Sequence, residues 1–272
     1  MLGDFSTIVR LGQGVDRDRR LHADAIERAL VCLRGYAAQV RELGSKPEET
    51  ICVSTASARD AQNGAEFFER VRAETGFRFK VISGDEEARL TFLGALLPGM
   101  RAEQSAVIDI GGGSTELIGQ SGGRSLDLGS VRFTERFLKS DPVTDEEFWA
   151  CQFEADRMLE TMLPWRAQLA PGTGLVAVAG TATTLAAWQL GLPHFDARQI
   201  DELTLTRGDV HRLLEELKWR TVEERKALPA MEPKRADVIL AGALILWRAM
   251  EKLDFAQVRV STRGLRYGIL KG

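Results

Sequence analysis

The sequence predicts an α/β fold made of two similar units in tandem. Three observations carry that prediction. Short apolar segments alternate with longer segments of helical period along the chain, the pattern of strands interleaved with helices. Two strands joined by Gly111-Gly112-Gly113 open the second half. The first half reads strand-helix-strand-helix-strand-helix, and the second repeats that order behind two additional strands, with extra helices inserted. The Pro98-Gly99 break sets the expected division, one unit over 1–103 and the other over 104–272.

Each element has a local reason. Residues 4–10 alternate weakly and predict a strand. Ile26, Leu30, Leu33, Ala37 and Val40 form one apolar stripe on a helix over 23–43 that Gly44 closes, with His22 at its N-cap. A strand at 50–54 precedes a helix capped by Asn63, with Glu66 at the capping-box position and Gly76 at its end. A strand at 77–82 leads into a helix that Ser83 starts and that runs to about residue 97. The glycine-linked strands follow, and Ser121-Gly122-Gly123 turns into a third strand at 124–128. Helices are predicted over 130–138 and 144–169, the second kinked at Pro164. The buried strand 175–179 runs into Gly180-Thr181-Ala182-Thr183-Thr184 and a helix. Thr206 and Thr221 cap two more helices, a long apolar helix over 233–253 has Pro in its first turn, and 257–260 is the last strand.

Composition narrows the function classes. Hydrophobic content of 44%, charged content of 28% and a formal net charge of −3 describe an ordinary globular chain with no dense basic run, which argues against nucleic acid as a partner. A polyanion would have to be met by local charge. Cys32, Cys52 and Cys151 are widely spaced and odd in number, which suggests neither a disulfide framework nor a zinc site and fits a reducing cytoplasm. No apolar run reaches ~18 residues and no signal-peptide pattern opens the chain, so no membrane association is expected.

The residues able to carry chemistry gather at turns. Three consecutive glycines permit positive φ and close approach of a ligand, and successive amides with the Ser114 and Thr115 hydroxyls can converge on phosphate. Asp109 ends one strand and Glu116 begins the next, so both carboxylates can face one crevice and suit Mg²⁺ held together with phosphate. The competing reading is a tight hairpin with solvated carboxylates. Gly180 and Thr181 begin a helix whose N-terminus favours an anion, or else belong to a threonine-rich cap. Glu86 completes a capping box on Ser83, while Glu87, roughly 100° further round the helix, is placed to position a water or is simply solvated. Arg59 is either a phosphate clamp or the partner of Asp60. The three histidines show no ligand spacing and read as surface residues. Trp188, Trp219 and Trp247 read as core or interface.

Taken together, these segments resemble the exopolyphosphatase and guanosine pentaphosphate phosphatase (Ppx/GppA) family. The segment from Val107 to Leu117 resembles its second phosphate motif, Ala179 to Ala186 its nucleotide loop, and Ile82 to Leu90 the stretch bearing its catalytic glutamate. Glu224-Arg225-Lys226, Leu228-Pro229, Arg235 to Ile239 and Ser261 to Gly268 also fit. The resemblance implies an actin-like ATPase (ribonuclease H-like) fold of duplicated domains and a hydrolase that releases terminal orthophosphate from polyphosphate or guanosine pentaphosphate. It implies Glu87 as the base, Asp109 and Glu116 on Mg²⁺, Gly111 to Thr115 as the phosphate cradle, and Ser57 with Arg59 as a phosphate-contacting turn. A homodimer is left open.

Two departures accompany it. The first domain lacks the family's opening strand–glycine–strand hairpin, which predicts weak catalysis and an open strand edge near residues 7–10. Tyr267 replaces a usual acidic residue. The alternatives are a catalytically impaired regulatory module of the same family and, ranked last, a sugar or acetate kinase.

Overall fold

A computed structural model describes residue 5, residues 7–59 and residues 61–271. The chain forms two compact units, one ending at Glu86 and one beginning at Glu87. The division between these compact units falls inside the Gly84–Ala95 helix, a different place from the Pro98-Gly99 break of the sequence. Packing explains the difference: Phe92 and Ala95 of that helix are buried with Val107, Ile118, Val176 and Val178 of the second unit.

In the first unit, β1 (Cys52–Ser54) pairs in parallel with β2 (Phe79–Val81). The Ala23–Glu42 helix buries Ala29, Leu30 and Ala37 against Phe67 and Val71 of the Gly64–Thr75 helix, which closes on Gly76 at φ 84°. Residues 7–10 form no strand and lead into a turn, with Arg10 at φ 50°. Asn63 does not cap its helix. Its buried side chain instead accepts from the Leu21 amide at 2.8 Å and donates to the Leu21 carbonyl at 3.0 Å, tying down a distant loop. His22 occupies its N-cap position without making a cap bond.

The second unit is a six-stranded sheet in the order β5-β4-β3-β6-β8-β7. The strands are β3 (Ser105–Ile110), β4 (Thr115–Gly119), β5 (Gly122–Leu126), β6 (Gly174–Val178), β7 (Thr204–Thr206) and β8 (Gln257–Val260). β3, β4 and β5 are antiparallel neighbours, and β6 and β8 continue parallel to β3. That is the strand arrangement of the expected actin-like, ribonuclease H-like fold, with β7 added antiparallel at the edge. The β4–β5 turn is tighter than expected: Gly119 pairs with Gly122 across Gln120-Ser121, so Gly122 and Gly123 already belong to β5.

Alternation sorts the sheet's two faces. Ala106, Ile108, Leu117, Leu175 and Ala177 join the large core with the Asp145–Glu160, Ala179–Gln189, Arg207–Lys218 and Ile239–Lys252 helices, while Val107, Ile118, Val176 and Val178 face the Gly84–Ala95 helix. Capping boxes at Thr144, Thr206 and Thr221 fix three helix starts. The helix expected over 144–169 ends at Glu160, and Pro164 starts the separate Leu163–Arg166 turn, since its missing amide costs nothing there. The helix expected from 233 likewise splits into a Pro233–Arg235 turn and the Ile239–Lys252 helix. His22, His194 and His211 are exposed; Trp188 and Trp247 pack against the core, but Trp219 is 68% exposed. Among the described residues no helix is long and apolar enough to cross a membrane.

Candidate active site

Asp109 and Glu116 are direct partners in the antiparallel β3–β4 register, and Asp109 is also the parallel partner of Val178 on β6. Cross-strand partners share a face at about 5 Å between Cβ atoms, so both carboxylates stand on the face that carries Val107 and Ile118. The Gly84–Ala95 helix covers that face, and Glu87, half-buried, lies on its first turn. Burial, then the charges of Glu116 and Glu87, push the Asp109 carboxyl up to about 7. The carboxylates of Glu116 on β4 and Glu87 on the helix therefore both act on Asp109 of β3. Glu116 is held in place by two hydroxyls: Ser114 Oγ and Ser125 Oγ each donate to its Oε1 at 2.7 Å.

The glycine turn presents opposite groups to its two sides. Gly111 N donates to Ser114 O at 2.9 Å, closing the turn. The carbonyls of Gly111 and Gly112 accept from the amides of Ser130, Val131 and Arg132 at 2.9–3.0 Å, so the Ser130–Phe137 helix docks its N-terminus on them. Gly129 makes this docking possible, since a Cβ there would run into the Gly112 carbonyl and the Gly113 backbone. Among the described residues the amides of Gly112, Gly113 and Ser114 have no acceptor, and Gly112 and Gly113 are exposed. A row of open amides is a ready anion cradle.

Several expectations about this turn need correction. None of Gly111, Gly112 and Gly113 has positive φ, so what the glycines supply is close approach. The Ser114 hydroxyl is committed to Glu116. Thr115 is fully buried, and its hydroxyl donates to the Leu128 carbonyl, because strand alternation turns it to the opposite face from Glu116.

A Cβ on Gly113 would meet only Arg132 Nη2, at 3.8 Å, so the fold does not require glycine there. Gly113→Ala should leave stability within about 0.5 kcal/mol of wild type and still weaken phosphate-ester or phosphoanhydride turnover. Gly129→Ala should destabilise the protein outright, by roughly 2 kcal/mol or more. Thermal melting of the two variants beside their turnover checks the contrast; equal melting losses would show that Gly113 is structural too.

The second expected anion loop is built differently. The Ala179–Gln189 helix begins directly after β6, with Ala179 at φ 64°. The place of a Cβ on Gly180 is filled by the Arg235 guanidinium, which is itself held by Glu232 at 3.0 Å. Thr181 is buried, its side chain packed where a Cβ on Gly242 would stand. Gly180 and Thr181 are therefore closely packed against Arg235 and Gly242. Thr183 returns its hydroxyl to the Ala179 carbonyl at 3.1 Å.

In the first unit Arg59 is exposed and donates from Nη1 to the Ile82 carbonyl at 3.1 Å. The Ser57 side chain and Asp60 lie outside the described residues. Glu86 is only half of a capping box: its amide donates to Ser83 Oγ at 3.1 Å, but its carboxylate pairs with Lys80 at 2.9 Å.

Sequence reasoning did not single out Arg132 and named Arg235 only within a family-like segment, with no role. Arg132 stands beside Gly113 and pairs with Asp127 at 3.3 Å; Arg235 covers Gly180. The signal for the first was Gly129-Ser130 two residues ahead, a helix start that had to meet something.

Asp109 and Glu116 are the residues able to hold a cation. Among the described residues no three His, Cys, Asp or Glu side chains come together as a complete metal cage. Two hard oxygen donors beside an anion cradle match a cation that takes its remaining ligands from phosphate and water.

The sequence profile of the Ppx/GppA phosphatase family matches residues 2–272. Exopolyphosphatase 2 of Mycobacterium tuberculosis (strain ATCC 25618 / H37Rv) is 36% identical over 276 residues, covering 96% of this chain and 86% of the relative. A crystal structure of an exopolyphosphatase-like protein superposes with a TM-score of 0.87 at 30% identity, over 97% of this chain and 89% of that one. The Aquifex aeolicus member of the Ppx/GppA family superposes with a TM-score of 0.78 at 32% identity, over 97% and 86%.

Proposed function

The chain belongs to the Ppx/GppA phosphatase family, and on that premise we propose that it hydrolyses phosphoanhydride bonds, releasing terminal orthophosphate from inorganic polyphosphate with Mg²⁺. One observation carries the proposal: the Asp109–Glu116 pair and Glu87 act on a point beside the three open amides of Gly112, Gly113 and Ser114. The Mycobacterium tuberculosis relative is named as an exopolyphosphatase, which favours polyphosphate over guanosine pentaphosphate.

Chemistry follows from charge. Three carboxylates would repel a polyanion, so a bound Mg²⁺ supplies the neutralisation and the polarisation of phosphoryl oxygen. Asp109 and Glu116 would hold it, with Ser114 and Ser125 fixing the Glu116 carboxylate. The open amides bind the terminal phosphoryl oxygens and are already aimed, so they cost no reorganisation as charge develops. Glu87 orients the attacking water and accepts its proton.

The test is orthophosphate release from long-chain polyphosphate by residues 1–272, with Mg²⁺ and then with excess chelator, beside guanosine pentaphosphate. Release that requires the metal and exceeds that from guanosine pentaphosphate is expected. Saturable polyphosphate binding without release would favour the regulatory reading, and preference for guanosine pentaphosphate would reassign the substrate.

A further inference from the structure

A second concavity lies on the same sheet face at the opposite edge. It measures about 270 Å³ and is lined by Met100, Arg101, Gln104, Ser105, Gly174 and Arg259. Ser105 and Gly174 are the first residues of β3 and β6, whereas the glycine turn follows the far end of β3. Arg259 is the register partner of Val176, which places it on the face shared with Val107 and Asp109.

Arg259 is the unusual member. It is half-buried, and its Nε is buried with no hydrogen-bond partner. Among the described residues no carboxylate lies within ion-pair distance of it. A buried donor without an acceptor costs about 1–3 kcal/mol, more when charged. Arg101, 69% exposed at the mouth and only 3.8 Å from Glu103, adds a second cation, and Gln104 and Ser105 add neutral polar groups.

We infer that this concavity is a binding site for a small oxyanion, a carboxylate or a phosphate, with Arg259 as its inner cation. The planar guanidinium offers Nε and an Nη in the fork that fits two oxygens of either group. The volume suits a small ligand and not a nucleotide or a polymer. The site uses none of the residues assigned to turnover, so it stands whether or not the chain proves to be an exopolyphosphatase.

Isothermal titration of the full chain with succinate and, separately, with inorganic phosphate tests this. Succinate should bind one site in the wild type, and inorganic phosphate should show one more site in the wild type than in Arg259→Met. Arg259→Met should weaken the relevant anion at least tenfold, and Arg259→Lys, which keeps the charge but loses the fork, by a smaller factor. Polyphosphate turnover of Arg259→Met should stay at the wild-type value, and its ligand-free melting temperature should be no lower than the wild type's, since the variant removes an unpartnered buried donor. A response to succinate alone or to phosphate alone supports the site and names the source of its oxyanion. Identical isotherms for wild type and both variants, or no binding of either probe beyond the glycine turn, would overturn the inference. Should Arg259→Met fail to fold, the wild type compared with Arg259→Lys decides alone.

Discussion

Glu87→Gln should reduce polyphosphate turnover by roughly two to four orders of magnitude, the usual contribution of a general base. The amide has almost the same shape but carries neither the negative charge nor the ability to take a proton. Its effect should therefore fall on kcat, with the melting temperature near that of the wild type. Glu86→Gln is the control one residue away. Its carboxylate pairs with Lys80 while its backbone amide takes the Ser83 cap, and an exposed pair of this kind is worth at most about 1 kcal/mol. Turnover of Glu86→Gln should be unchanged and its stability only slightly lowered. A comparable loss of turnover in both variants, with unchanged melting, would show that the two glutamates had been given the wrong roles.

Asp109→Asn should separate activity from stability in opposite directions. Turnover should fall by a hundredfold or more, since cation-assisted charge stabilisation is worth several kcal/mol. The metal-free protein should nevertheless melt higher than the wild type. The folded-state carboxyl titrates at about 7 against 3.8 for the ordinary group, so its favourable contribution is complete below pH ~4, where it is protonated in both states. That contribution is lost as pH rises through ~7, where the folded protein must hold the charged form. At pH 8 the burden of the charge is on the order of 2–4 kcal/mol, which a neutral amide avoids, raising the melting temperature by roughly 4–10 °C. The difference should shrink towards zero near pH 4, and Mg²⁺ should narrow it at pH 8 by stabilising the wild type alone. Melting curves across pH 4–8 with and without Mg²⁺ decide; an Asn variant no more stable than wild type at pH 8 would sink the account.

Legibility in the sequence varied with the range of the interaction involved. The Asp109–Glu116 pairing was readable because strands of period two joined by a short turn leave few registers. The same period held the answer for Thr115: a neighbour of Glu116 on a strand points to the other face, and reading its hydroxyl as a phosphate donor overlooked that. Glycine was read at Gly111 to Gly113 both for positive φ and for close approach; the structure shows no positive φ there, and adds the close approach of Gly129. Gly180 and Thr181 carried every local mark of an anion loop. Their close contacts with Arg235 and Gly242, more than fifty residues away, were not legible there.

By itself the sequence determined the stripe of the Ala23–Glu42 helix, the caps at Thr206 and Thr221, the glycine-linked strands, and the two carboxylates set opposite each other. These depend on sterics, periodicity and hydrogen bonds between residues a few positions apart, so a short window contains the whole cause. The tertiary structure alone decided that Glu87 reaches Asp109, that the loop's carbonyls turn to the Ser130–Phe137 helix and leave its amides open, and that Arg259 is buried without a partner. Each depends on how the second unit's helices and strands close-pack, and close packing joins residues that no window of sequence holds together.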